Sequence, residues 1–180
     1  MKPIHRFSPI LAATAVALCA AAAAPAARAV PIPSTLSPAA HESPRLHVGA
    51  RGVQVYQCRA RPGGHAWTLV APEADLFDSD GRLVGSHGAG PSWRFVDGRR
   101  VTARLKARAD APRPDDIPWL LLETRTQWPG EGRTGTHGRL TSIQRIHTRG
   151  GAAPAAGCDT ATAGSTVRVP YTAEYVLYGH

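Results

Sequence analysis

Residues 87–122 read HGAGPSWRFVDGRRVTARLKARADAPRPDDIPWLLL, and this stretch decides the fold. The elbow Gly90-Pro91 leads into the short run Trp93–Val96. Asp97-Gly98 then forms a turn dipeptide, because glycine takes positive φ without steric cost and aspartate bonds its own backbone. From Val101 to Arg108 the chain alternates, with Val101, Ala103, Leu105 and Ala107 set against Thr102, Arg104, Lys106 and Arg108. A period of two places successive side chains on opposite sides of a strand, so one side is buried and one is wet. Asp110–Asp116 contains Pro112 and Pro114 and reads as a loop. Ile117–Thr126 is apolar enough to be a central strand, with Pro118 tolerated only at its start.

The same grammar extends in both directions. Gly52–Cys58 alternates Val53 and Val55 against Gln54, Tyr56 and Cys58. Trp67–Val70 follows the turn Arg61-Pro62-Gly63-Gly64. Asp78-Ser79-Asp80-Gly81 joins Leu76-Phe77 to Leu83-Val84 as a hairpin. Trp128–Gly138 has no apolar side chain after Trp128 and reads as a long exposed loop. Leu140–Thr148 returns as a strand with Ile143 and Ile146 on opposite sides. Val167–Tyr178 puts Tyr171, Ala173, Tyr175 and Leu177 on one face. Helical periodicity is hard to find after residue 45. The pattern predicts an all-β protein, a single-domain antiparallel sandwich or barrel of about eight strands. The sequence does not choose between the two.

The first 29 residues differ from the rest. Lys2, His5 and Arg6 precede the apolar run Ile10–Ala24, and Ala27-Arg28-Ala29 supplies small residues where a signal peptidase cuts. A run this short falls below the roughly 20 residues of a spanning helix. We expect residues 1–29 to be a signal peptide cleaved near Ala29, residues 30–44 a flexible extended tether with four prolines, and residues 45–180 a single β domain. The product is then periplasmic or extracellular, with no transmembrane segment in the mature chain. Loss of Lys2, Arg6 and Arg28 leaves 18 basic against 13 acidic residues, a net +5. Cys19 leaves with the signal, so Cys58 and Cys158 remain as one pair. In an oxidising compartment that pair is expected as a disulfide. The chain-entropy account gives about 4–5 kcal/mol for so long a loop.

Several stretches in this order resemble a known family. They are Gly52–Cys58 (GVQVYQC), Ala71–Leu76 (APEADL), Gly85-Ser-His87 with Gly90–Trp93 (GPSW), and Asp97-Gly98. Further on come Ile117–Leu122 (IPWLLL), Ile143–Ile146 (IQRI) with Thr148–Gly151 (TRGG), and Val169–Tyr175 (VPYTAEY). Together they resemble domain-of-unknown-function family 3455 of exported bacterial and fungal proteins, over roughly residues 45–178. The family's cysteines fall on Cys58 and Cys158. Gly88 departs from the pattern, which has an aromatic after the histidine. The resemblance brings no activity with it.

Candidate site residues come from the same stretches. His87 titrates near neutrality and suits a general base or a ligand donor, with Glu73 and Asp97 as the nearest carboxylates. Asp97 also reads as a turn former. The elbow is expected to hold His87 at an exposed rim above buried Trp93 and Trp119, whose rings share one mouth or one core layer. Trp93 and Trp119, with Tyr56 and Tyr175, offer ring area and polar handles for a ligand or simply fill the core. Arg145 offers a guanidinium fork for an anion. The seven histidines after the signal show no metal-ligand spacing, so neither metal nor cofactor is expected.

No nucleophile elbow accompanies Ser92. Arg99, Arg100, Arg104, Lys106 and Arg108 form a basic ladder that is a solvated face or a patch for an anionic envelope polymer. An exported chain without a recognition helix is a poor nucleic-acid binder. The leading expectation is a non-enzymatic envelope or extracellular binding module for such a polymer or a small ligand. The alternatives are a hydrolase or lyase using His87 with a carboxylate, and a structural surface protein.

Overall fold

The computed structural model describes residues 30–128 and 139–180. The expected signal peptide and residues 129–138 of the expected glycine-rich loop lie outside them. After a 3-10 turn at Ser34–Leu36 come eight strands. They are β1 Ser43–Arg61, β2 Gly64–Phe77, β3 Leu83–Gly88, β4 Ser92–Phe95, β5 Arg100–Ala109, β6 Trp119–Trp128, β7 Leu140–Gly150 and β8 Thr166–Gly179. No α-helix occurs among the described residues. Each strand pairs antiparallel with its successor, and β8 returns to β1 with Tyr175 opposite Val48 and Ala173 opposite Ala50. The protein is all-β, and of the two architectures left open its single sheet closes on itself as a barrel. Closure leaves none of the eight described strands as an edge to pair with another chain.

The turns form where the sequence supplies their chemistry. Gly81 and Gly98 sit at φ 77° and 84°, and the preceding aspartates accept backbone N–H bonds, Asp78 from Arg82 at 2.9 Å and Asp97 from Arg99 at 3.1 Å. Trp93 pairs with Val101 across the second of these hairpins. The disulfide joins Cys58 to Cys158 with Cα atoms 5.4 Å apart. It ties the end of β1 to the loop before β8, which is also held by Cys58 N–H to Ser165 O and Gly164 N–H to Cys58 O, both 2.9 Å.

The sheet buries apolar side chains on both of its faces. Inside, Leu76, Phe95, Val101, Leu140, Ile143 and Leu177 fill the end of the barrel where β2 finishes and β3 begins. Small residues (Ala50, Ala74, Ala103 and Ala173) let the strands close around them. Outside, Trp119, Leu121, Ile146 and Val176 form a second cluster, capped by the fully buried Leu36. Residues 30–44, expected as a tether, therefore include a turn laid against the outer face. Gln144 donates to Leu36 O at 2.8 Å, and Ser142 Oγ to Glu42 at 2.8 Å. Ile143 and Ile146 do lie on opposite faces, and Tyr171, Ala173, Tyr175 and Leu177 do share one.

The alternation read along β5 does not hold to its end. The register slips between Thr102 and Ala103 and again between Leu105 and Ala107. A bulge reverses the parity of everything after it. Leu105 is 56% exposed, Ala107 packs on the outer cluster, and Arg108 turns to the barrel mouth. Arg104 pairs with Glu123 on β6 and Arg99 with Asp97, so much of the basic ladder is matched by acids.

Candidate ligand-binding cavity

The barrel is packed at one end and hollow at the other. The hollow end lies where β3 finishes and β4 begins, and it contains a cavity of about 670 Å³. An eight-stranded barrel is just wide enough to be filled by side chains or to hold one small ligand. Here the inner half of β1 decides for a ligand space. Gln54, Tyr56 and Cys58 point inward, whereas Val53 and Val55 face out, the reverse of what hydrophobicity alone suggests. Gln54 is buried to 2% exposure and reaches the cavity wall. Tyr56 donates its hydroxyl to Gly151 O at 2.6 Å. Gly151 sits at φ 83°, and a Cβ there would come within 2.8 Å of Tyr171 and 3.3 Å of Gln54. Glycine is needed for both conformation and space.

The elbow after β3 builds the next part of the wall. Gly90 adopts φ 71°, Ser92 Oγ donates to Ala89 O at 2.9 Å, and Ser92 O lies 2.9 Å from His87 Nδ1. A carbonyl only accepts, so Nδ1 carries the proton and Nε2 is the basic nitrogen of a neutral ring. His87 stacks on its cross-strand partner Trp93 at 4.6 Å, and Tyr175 closes on both rings at 5.0 and 5.5 Å. Burial among these rings lowers the His87 pKa from 6.5 to about 4; the Ser92 carbonyl opposes the change and the Arg145 charge adds to it. Burial raises the Tyr175 and Tyr171 hydroxyls well above the usual tyrosine range.

The third part is a strap, residues 110–118. Asp116 anchors it with a fully buried carboxylate. That carboxylate accepts from Gly150 N–H at 2.6 Å, from Arg113 at 2.8 and 3.0 Å, and from Arg149 at 3.4 Å. The Arg113 guanidinium is the largest influence holding Asp116 below the ordinary carboxylate range; burial opposes it, and the Gly150 N–H and the Arg149 charge assist. Ile117 N–H donates to Gly150 O at 2.9 Å, and Thr148 Oγ1 to Ile117 O at 2.6 Å. Arg145 donates Nε and Nη2 to Pro118 O at 3.2 and 2.8 Å. Leu69 and Leu105, each about half exposed, stand at the mouth with Arg108 and Arg113.

The structure thus brings together His87, Trp93 and Arg145, and adds Tyr56 and Tyr175. It does not bring the other candidates to them. Glu73 points outward, because its neighbour Ala74 faces in opposite His87; it accepts from Arg168 at 2.7 Å on the surface. Asp97 holds the β4–β5 turn through Arg99. Trp119 is buried, at 2% exposure, but on the outer face and edge-on to His147, so it shares no layer with Trp93. His87 is not at an exposed rim: it is 5% exposed, because the elbow folds over it. Gln54 and Asp116 were not singled out by the sequence. For Gln54 a signal existed, its parity with Tyr56; for Asp116, in a proline-rich loop, there was none.

Residues 38–179 match the family described as protein of unknown function (DUF3455). The chain belongs to that family. Comparison with curated proteins and with solved structures finds no match. What this DUF3455 barrel offers chemically is a neutral imidazole, tyrosine hydroxyls and the Arg145 guanidinium around an apolar space, with Arg108 and Arg113 at its mouth. Among its described residues no group of three or more His, Cys, Asp or Glu side chains is arranged to hold a metal ion.

Proposed function

We propose that the protein is an exported, non-enzymatic binding module that takes one small, largely apolar molecule into the open end of its barrel. The observation that carries this reading is the cavity, about 670 Å³, walled by Leu120, Leu122, Ile117, Pro72 and the Trp93 ring, with only a few polar groups turned inward. Ligand pockets of this kind are about 300–1,000 Å³, mostly apolar and sparsely polar. A disulfide, and the lack among the described residues of any helix long and apolar enough to cross a membrane, fit a protein delivered to an oxidising compartment.

The test uses N-phenyl-1-naphthylamine, a neutral apolar dye that brightens out of water. We expect saturable binding with one site per chain, abolished by Leu120→Trp, which fills the cavity from its wall. Unsaturable dye uptake, or equal uptake by the filled variant, contradicts the reading. Export is checked separately: N-terminal sequencing of the exported product should begin at or near Val30, and a full-length cytoplasmic chain would show that it is wrong.

A further inference from the structure

The inner wall of the cavity carries more hydrogen-bond donors than the protein satisfies. Trp93 Nε1 and Gln54 Nε2 are buried without a hydrogen-bond partner, and the buried hydroxyls of Tyr171 and Tyr175 reach at most each other and Arg145. Burying such a group unpaired costs about 1–3 kcal/mol, so each calls for a partner. Trp93, Gln54 and Tyr175 line the cavity itself. Tyr171 stands beside Gln54 under Gly151.

The charges around the cavity point the same way. At its mouth Arg108 is matched by Asp110 and Arg113 by Asp116. Arg145 is the exception. Its guanidinium donates to the Pro118 carbonyl through Nε and Nη2 and reaches the Tyr175 hydroxyl, and none of the described ion pairs includes it. It lines the same cavity as Gln54, Trp93 and Tyr175, and its charge is felt by Tyr56, His87, Tyr171 and Tyr175 alike. His87 is neutral and adds no charge. The cavity wall therefore carries one cation that no acid among the described residues matches.

We propose that the ligand is an organic monoacid, its carboxylate seated on Arg145 and the neighbouring tyrosine and glutamine donors and its apolar body lying along Leu120, Leu122 and Pro72 toward the mouth. A carboxylate is acceptor-only and takes a guanidinium side-on, so one group answers both the unmatched charge and the surplus of donors. The donor-poor, apolar stretch of wall between Arg145 and the mouth suits a hydrocarbon or aromatic body. This inference rests on the binding reading above.

Displacement of N-phenyl-1-naphthylamine by decanoic acid, 1-decanol and methyl decanoate tests it at neutral pH. Decanoic acid should displace the dye at a concentration lower by on the order of tenfold or more than either neutral analogue, as a charge-assisted hydrogen bond implies. Arg145→Gln should erase that preference, and Arg145→Lys, which keeps the charge, should retain part of it. Thermal melts confirm that both variants fold, and Arg168→Gln, outside the cavity, should leave the preference unchanged. Equal displacement by acid, alcohol and ester overturns the monoacid inference while the binding reading survives. Failure of the dye itself to bind overturns both.

Discussion

His87 provides the sharpest quantitative consequence of the barrel interior. Its ring is buried between Trp93 and Tyr175, with its proton on Nδ1, and its pKa falls from 6.5 to about 4. A group whose folded pKa is depressed supports the fold above its unfolded pKa and loses that support as pH falls toward the folded value. Between pH 6.5 and about 4 the unfolded chain takes up a proton on this ring that the folded chain refuses. At about 1.4 kcal/mol per pH unit the loss amounts to about 3 kcal/mol. His87→Phe keeps an aromatic ring on Trp93 but removes the titration. Its loss of the Ser92 hydrogen bond is the same at every pH. Urea unfolding of both proteins at intervals from pH 7 to pH 4 isolates the difference, since all other groups titrate in both. Wild type should lose about 3 kcal/mol more than His87→Phe over this range. Parallel stability curves would refute the burial and tautomer argued for the ring.

Other residues give simpler outcomes. Trp93→Ala empties the centre of the inner core and should cost about 3–5 kcal/mol in a denaturant titration, whereas Glu73→Ala removes one exposed surface ion pair and should leave the midpoint nearly unchanged. Thiol titration of the native protein should find Cys58 and Cys158 unreactive, and Cys58→Ser should lower stability by about 4–5 kcal/mol, the figure for a loop of this length. Two reactive thiols per chain would exclude the bond. Asp116→Asn should cost about 1.5–3 kcal/mol at neutral pH through its charge-assisted bonds. Because the Asp116 pKa is depressed, that contribution is complete above the ordinary carboxylate range and disappears as pH falls through the folded value. The melting temperatures of variant and wild type should therefore converge in strong acid; a constant gap across pH would contradict the anchoring ion pair.

The fold was legible in the sequence wherever turn chemistry and alternation agreed. Asp97-Gly98 and Asp78–Gly81 each specify a hairpin locally, and the Tyr171–Leu177 face specifies which side of β8 is inside. Closure was not legible, because the pairing of β1 with β8 joins Val48 to Tyr175 across nearly the whole chain. Bulges hid from the pattern as well, so Arg108 and Ala107 exchanged the sides that strict alternation gave them. At the site, His87, Trp93 and Arg145 could be found as the polar or aromatic members of turn and strand motifs. Gln54 carried a signal in its parity with Tyr56, although its packing partner Gly151 is remote in sequence; Asp116 could not be found, because its partners Gly150 and Arg149 lie on a distant strand. Trp119 misled for a related reason: a strand buried on both faces gives no sequence clue to which face holds which ring.

The central claim, that the open end of the barrel is the ligand site, is tested most directly by the indole resonances of Trp93 and Trp119 in a two-dimensional nitrogen–proton NMR spectrum. Both Nε1–H groups are buried without partners, but they lie on opposite faces of the sheet. Titration with N-phenyl-1-naphthylamine should shift the Trp93 indole signal together with the backbone amides of Gln54, His87 and Leu122, and leave the Trp119 indole where it was. Shifts centred on Trp119, Leu36 and Ile146, with Trp93 unmoved, would place binding on the outer cluster and contradict the account.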